Sequence, residues 1–109
     1  MTHDEPSRET PSGPIGTAIL FENDHVRVWS MNVEAGGRKA WHHHRLPYVI
    51  VPVSGGRIEL ETSDGKVVQI EENAGDAIWR DAGEIHELRN RGLGAYRNVL
   101  IEIKTRSGC

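Results

Sequence analysis

The sequence predicts an all-β domain, a sandwich or a barrel, on three observations. Short runs rich in Val, Ile and aromatic residues recur from residue 17 onward, separated by the turn-forming clusters "EAGG", "SGG", "SDG", "NAGD" and "RGLG". No stretch of helix length carries an apolar period of 3.6 residues. Asp64-Gly65 sits between two of the runs, where a tight hairpin turn is wanted. Many short strands at close, even spacing suit packed antiparallel sheets or a closed barrel.

Taken in order, residues 1–14 are polar, acidic and dotted with proline, the composition of a flexible tail, and residues 15–109 form the domain. "TAILF" is the first strand and "HVRVWSMNV" the second. Residues 41–50 are taken as extended and run into "YVIVPV". In "RIELET", Ile58 and Leu60 alternate with Arg57, Glu59 and Glu61, the period of a strand with one buried face. "KVVQIE" returns across the Asp64-Gly65 turn, "DAIWR" follows, and "YRNVLIEI" closes the series. Trp29, Trp41 and Trp79 are expected in the core, the usual place of aromatics on strands.

Composition narrows the function. With 37% hydrophobic and 27% charged residues over 109, the chain has the make-up of a soluble globular domain with a modest core. A formal charge of −3 and the lack of any basic run argue against nucleic acid as a partner. "YVIVPV", the longest apolar run, is far too short to cross a bilayer, and the first residues lack the apolar segment of a signal peptide. Cys109 is the single cysteine, so disulfides within the chain and thiolate metal cages are excluded. A cytoplasmic location is the expectation.

Four of the six histidines attract attention. His3 in the tail and His25 near an early strand have no partner nearby in sequence and are expected on the surface. His42, His43 and His44 lie in mid-chain, and His86 stands alone further on. On an extended segment His42 and His44 share a face with Leu46, Tyr48 and Ile50, while His43 points away. Two imidazoles at i and i+2 can reach one cation; exposed histidine pairs without a metal are equally compatible with that spacing.

The surrounding spacing adds more. Gly36 is followed by five residues and His42, and His44 by three residues, Tyr48, six more and Gly55. Gly75 is followed by five residues and Asp81, then Gly83, two residues, His86, three residues and Asn90. This pattern resembles the paired motifs of the cupin superfamily, and the span from Gly55 to Gly75 is similar to that between the motifs of its small barrels. The resemblance covers residues 17–104. The wording also resembles small bacterial cupins often labelled beta-alanine degradation proteins, a label that specifies no chemistry.

The resemblance implies a double-stranded β-helix, the cupin jelly-roll barrel, with His42, His44 and His86 as metal ligands. Two positions depart from the motif: Asp81 replaces a proline, and Tyr48 replaces a glutamate that usually supplies a fourth ligand. Three neutral imidazoles leave a divalent ion its full charge, so the site should favour an anionic, preferably chelating, small-molecule ligand. Three-histidine cupin sites resemble those of thiol and β-diketone dioxygenases, which use ferrous iron. The implied cofactor is therefore one divalent transition metal, Fe(II) in function, with Zn, Ni or Cu as ions that imidazoles also take up during isolation.

Tyr48 is the candidate catalytic residue, as a phenol hydrogen-bonding a bound ligand or water; filling the barrel is weighed equally, and a metal-ligating phenolate is the least favoured reading. Arg45, Arg80 and Arg97 are weighed as carboxylate clamps, with Arg45 discounted because it shares the parity of His43. Glu84, close in sequence to His86, is weighed as a base or ligand against a turn residue, the preferred reading, and Asn90 is read as structural. An Fe(II) dioxygenase is set against a non-catalytic metal or ligand-binding module, and a sugar isomerase fits less well. By family resemblance a homodimer is expected, with "TAILF" covering a sheet edge.

Overall fold

Nine strands make up the computed structural model, which describes residues 5–104. They are β1 (Ala18–Glu22), β2 (Val26–Val33), β3 (Arg38–His43), β4 (Tyr48–Ser54), β5 (Gly56–Thr62), β6 (Val67–Glu72), β7 (Ile78–Arg80), β8 (Ile85–Asn90) and β9 (Tyr96–Ile103). There is no helix among the described residues. One sheet has the order β1-β2-β9-β4-β7 and the other β3-β8-β5-β6, with every pairing antiparallel. From β3 onward the chain crosses repeatedly between the sheets, giving a jelly roll.

The inward positions of both sheets meet in one core. Met31 and Val33 on β2, Ile50 on β4, Ile58 and Leu60 on β5, Leu88 on β8 and Leu100 on β9 are all buried in it. Each such aliphatic side chain contributes roughly 1.5–3 kcal/mol by leaving water. Outside the four-stranded sheet, Arg89 bridges Glu59, Glu61 and Glu87, so charges cover the face that the core does not use. The hairpin expected at Asp64-Gly65 joins β5 to β6, with Gly65 at a φ of +90°.

Four expectations need correction. Two strands, β3 and β8, escaped the apolar-run reading because they carry more polar than apolar residues: "RKAWHH" and "IHELRN". Residues 41–50 are not one extended segment; β3 stops at His43 and residues 44–47 turn before β4. Leu46 is therefore carried to the outer side, into a groove with His43 and Arg45. Trp79 is 56% exposed, because it occupies the outward position of the short edge strand β7, where its indole N–H donates to Asp81 at 3.0 Å. Trp41 is buried and Trp29 packs against the core.

The described part of the N-terminal segment makes specific contacts that its composition did not suggest. The Gly13 N–H donates to the Trp41 carbonyl at 3.0 Å, and Ser12 forms a bridge to His42. The Arg8 guanidinium lies 5.1 Å from the Trp41 ring and pairs with Glu61. Apolar and charged contacts of this kind hold a proline-rich strand beside β3 without a regular ladder. His3 and Cys109 lie outside the described residues.

Candidate metal centre

The three histidines reach one point by different local routes. His42 on β3 stands opposite His86 on β8. Between Lys39 and His42 the β3 register slips by one residue against β8, a bulge at Ala40 and Trp41. The bulge frees the Ala40 carbonyl, which accepts from His42 Nδ1 at 2.7 Å. His44 lies just past the strand end, where its N–H donates to the Glu84 carbonyl at 2.9 Å and its carbonyl accepts from the Gly83 N–H at 2.7 Å. Gly83 has a φ of +116°, which suits glycine and lets the loop before β8 close on His44.

The result is a buried triad. His42, His44 and His86 are 1%, 2% and 4% exposed, their ring centroids stand 4.6–4.8 Å apart, and one ring nitrogen from each lies within 4.8 Å of the others. His86 Nδ1 pairs with the Glu84 carboxylate at 2.7 Å. A carbonyl and an ionised carboxylate only accept, so His42 and His86 carry their protons on Nδ1 and present bare Nε2 lone pairs inward. The His86 hydrogen bond holds the Glu84 carboxyl below its usual range, which keeps it ionised.

Burial, reinforced by the charge His86 can carry, pushes His42 down to about 3 and His44 down to about 2. Both are therefore neutral at physiological pH, the form in which imidazole binds metals. His44 Nε2 lies 3.1 Å from His86 Nε2, while its own Nδ1 is buried without a partner. Two nitrogens each about 2.1 Å from one ion stand about 3.0 Å apart at a right angle and about 3.4 Å apart in a tetrahedron. The His44–His86 spacing falls between these, so that pair of donors fits a transition metal. His43, half-buried on the outer side, is no part of the triad.

Tyr48 stacks on His44 with centroids 4.1 Å apart and planes 14° from parallel. That contact orients the one ring whose Nδ1 has no hydrogen bond. Burial raises the Tyr48 hydroxyl above its ordinary pKa, so it stays a neutral phenol. In register with it on β7, Arg80 faces the same side. Among the described residues, the Arg80 guanidinium makes no hydrogen bond or ion pair, while its backbone pairs with β4. Arg45 and Arg97 are exposed, and only Arg80 of the three lines the cavity.

The enclosed space beside the triad is about 20 Å³, and a cleft of about 420 Å³ opens outside it between Tyr48, Trp79, Arg80 and Glu84. Sequence reasoning weighed Glu84 as a base, ligand or turn residue, and not as the hydrogen-bond partner of His86 that it is; its i−2 position before a histidine was the available signal. It also missed Glu72, which lines the enclosed space and which no motif marks. Asn90 is structural: its side-chain amide donates to the Val33, Glu34 and Gly94 carbonyls and its oxygen accepts from the Gly92 N–H.

No family model matches the sequence. Among curated proteins, the chain is 31% identical over 86 residues to the beta-alanine degradation protein BauB of Pseudomonas aeruginosa, spanning 79% of this chain and 90% of that one. A cupin domain from Bordetella pertussis Tohama I superposes with a TM-score of 0.77 at 33% identity, over 85% of this chain and 95% of that one. A double-stranded β-helix protein from Klebsiella pneumoniae matches 98% of this chain and 95% of its own at a TM-score of 0.65 and 20% identity, a likeness of fold alone. With the jelly roll, the clustered motif histidines and relatives of this identity over most of its length, the chain belongs to the cupin superfamily.

Proposed function

We propose that this cupin holds one divalent transition metal on His42, His44 and His86, and that with ferrous iron it is a dioxygenase for a small anionic ligand that chelates the metal. The observation that carries the reading is the 3.1 Å approach of His44 Nε2 to His86 Nε2, where the second nitrogen of His86 is already committed to Glu84. In the metal-free chain a neutral His44 can donate its Nε2–H across that gap to His86. A cation that takes the place of the proton is met by both nitrogens and by the ring nitrogen of His42 within 4.8 Å. Among the described residues no carboxylate joins the triad, so a bound divalent ion keeps its full charge and favours an anion beside it. When bound, iron supplies the redox chemistry and oxygen activation; the chain supplies position and polarity.

Arg80 at the inner edge of the outer cleft is suited to an anionic group, which its planar fork can bind bidentately. Tyr48 keeps its proton and has no hydrogen-bond partner among the described residues, so it can donate to an oxygen of the ligand. The outer cleft has the volume of a small-molecule site. A reducing, cytoplasmic setting, which keeps iron ferrous, belongs to this proposal. So does a homodimer formed through β1, whose Ile19, Leu20 and Phe21 are all at least half exposed on a sheet edge.

The test begins with elemental analysis of tag-free protein purified without chelators or a nickel column. A ratio near one metal per chain supports the centre, and a ratio near zero after anaerobic incubation with Fe(II), Zn(II) and Ni(II) refutes it. Oxygen uptake by the iron-loaded protein over a panel of small enolates, thiols and carboxylates then tests the chemistry. A second reading, a barrel that holds metal without catalysis, is favoured by the small enclosed space of about 20 Å³. Full metal loading with no ligand-dependent oxygen uptake would select it.

A further inference from the structure

Glu72 ends β6 with its side chain turned into the barrel, 3% exposed. Its Oε1 accepts from the Tyr96 hydroxyl at 2.5 Å, and that hydroxyl accepts from the Asn98 side-chain N–H at 2.7 Å. Here the chain of bonds stops. Glu72 Oε2 and Asn98 Oδ1 are both buried without any partner, although Asn98 is only 2% exposed. An unpaired buried acceptor costs about 1–3 kcal/mol, and folded proteins leave few of them.

Both residues line the same enclosed space as the histidine triad, among walls that include Met31, Ile58 and Leu100. The two orphan atoms are acceptors, so what the floor of the cavity lacks is a donor. The space of about 20 Å³ limits the size of that donor, because one water-sized group fills it.

We propose that Glu72 and Asn98 form a second polar subsite, which takes one water-sized hydrogen-bond donor: a terminal hydroxyl or amino group of the ligand, or a water when the ligand carries none. The inference rests on the proposed ligand site and deepens it. The anionic end of the ligand is held at Arg80 and the metal, and the donor end reaches Glu72. Small anions with a terminal hydroxyl or amine are then preferred over their plain carboxylate counterparts. Tyr96 is the positioning residue, since its hydroxyl holds Glu72 Oε1 and leaves Oε2 directed at the space.

The experiment uses the metal-loaded full chain. Dissociation constants of two- to four-carbon carboxylates, with and without a terminal hydroxyl or amino group, are measured by calorimetry, and the ligand-free crystal structure is solved. The terminal donor should tighten binding about tenfold in the wild type. In Glu72→Gln the gain should fall below twofold, because the amide oxygen stays on Tyr96 and an N–H replaces Oε2. Asn98→Leu, which removes the other acceptor, is the second variant should Glu72→Gln not fold.

An ordered water between Glu72 and Asn98 with no preference among the ligands would identify water as the donor. No such water together with no preference overturns the inference, as does a preference that survives Glu72→Gln. The first of these results fits a protonated Glu72 that satisfies Asn98 by itself. A full metal ratio with no donor and no preference refutes this subsite alone; a zero metal ratio with the preference intact refutes the metal centre alone.

Discussion

Glu84 offers the sharpest test of the metal centre, because it acts on the metal only through another residue. Its carboxylate accepts from His86 Nδ1 at 2.7 Å, which fixes the tautomer and makes Nε2 a stronger donor. Losing such a partner typically weakens a metal site 10- to 100-fold. The Glu84 side chain is 37% exposed, so water screens part of its charge and the low end of that range applies. Glu84→Ala should therefore weaken Zn(II) binding about tenfold, or about 1.4 kcal/mol. Glu84→Gln keeps a carbonyl acceptor and should cost about threefold. Competition against a chromophoric chelator at pH 7.5 measures both, with Asp81→Asn as a neighbouring control expected to change nothing. An affinity within twofold of wild type in Glu84→Ala, with the fold intact by thermal melting, would refute the tautomer argument.

Other outcomes follow from the same geometry. His42→Ala should lower metal affinity at least 100-fold and His43→Ala less than threefold, read in the same competition assay; equal losses would contradict the placement of His43 outside the triad. Metal-free protein should lose stability in acid. His42 and His44 have folded pKa values below the unfolded value of about 6.5, so the unfolded chain binds more protons below that pH. Their contribution is intact above about pH 6.5 and declines as pH falls toward their folded values, costing together up to about 4 kcal/mol between pH 7 and 5. Urea titrations at both pH values check this, and metal should shift the loss to lower pH. Phe21→Glu on the exposed edge strand β1 should convert the proposed dimer to a monomer in sedimentation velocity without lowering metal content; a wild type that already sediments as a monomer would refute that dimer.

The all-β class was legible because β5 alternates apolar and charged residues, β4 and β9 are rich in Val and Ile, and the Asp64-Gly65 turn stood where a hairpin needs it. β3 and β8 were not legible as strands for the reason that makes them functional. Their inward positions hold His42, His86 and Asn90 where a structural strand would hold Val or Ile, so the hydrophobic signal is weakest at the site. Glu72 was invisible for another reason. It lies on β6 in "VVQIEE", beside an exposed glutamate, and nothing local distinguishes the carboxylate that turns in from the one that faces water.

The pairing of His42 with His44 came out as expected, yet uniform strand parity did not produce it. A strand from 41 to 50 would place both rings on one face and carry Leu46 and Tyr48 with them. The chain instead leaves the strand after His43, and hydrogen bonds between His44 and the 83–84 loop bring His44 back to the cavity while Leu46 turns away. The bulge before His42 adds a further offset and supplies the carbonyl that fixes its tautomer. The site thus depends on two departures from regular strand geometry, each held by backbone hydrogen bonds. Deleting Ala40 restores the regular ladder with His42 still opposite His86, but removes the carbonyl that fixes the His42 tautomer, so metal binding should weaken about tenfold while the barrel still folds. Retained tight binding in that variant would show that strand parity alone builds the centre.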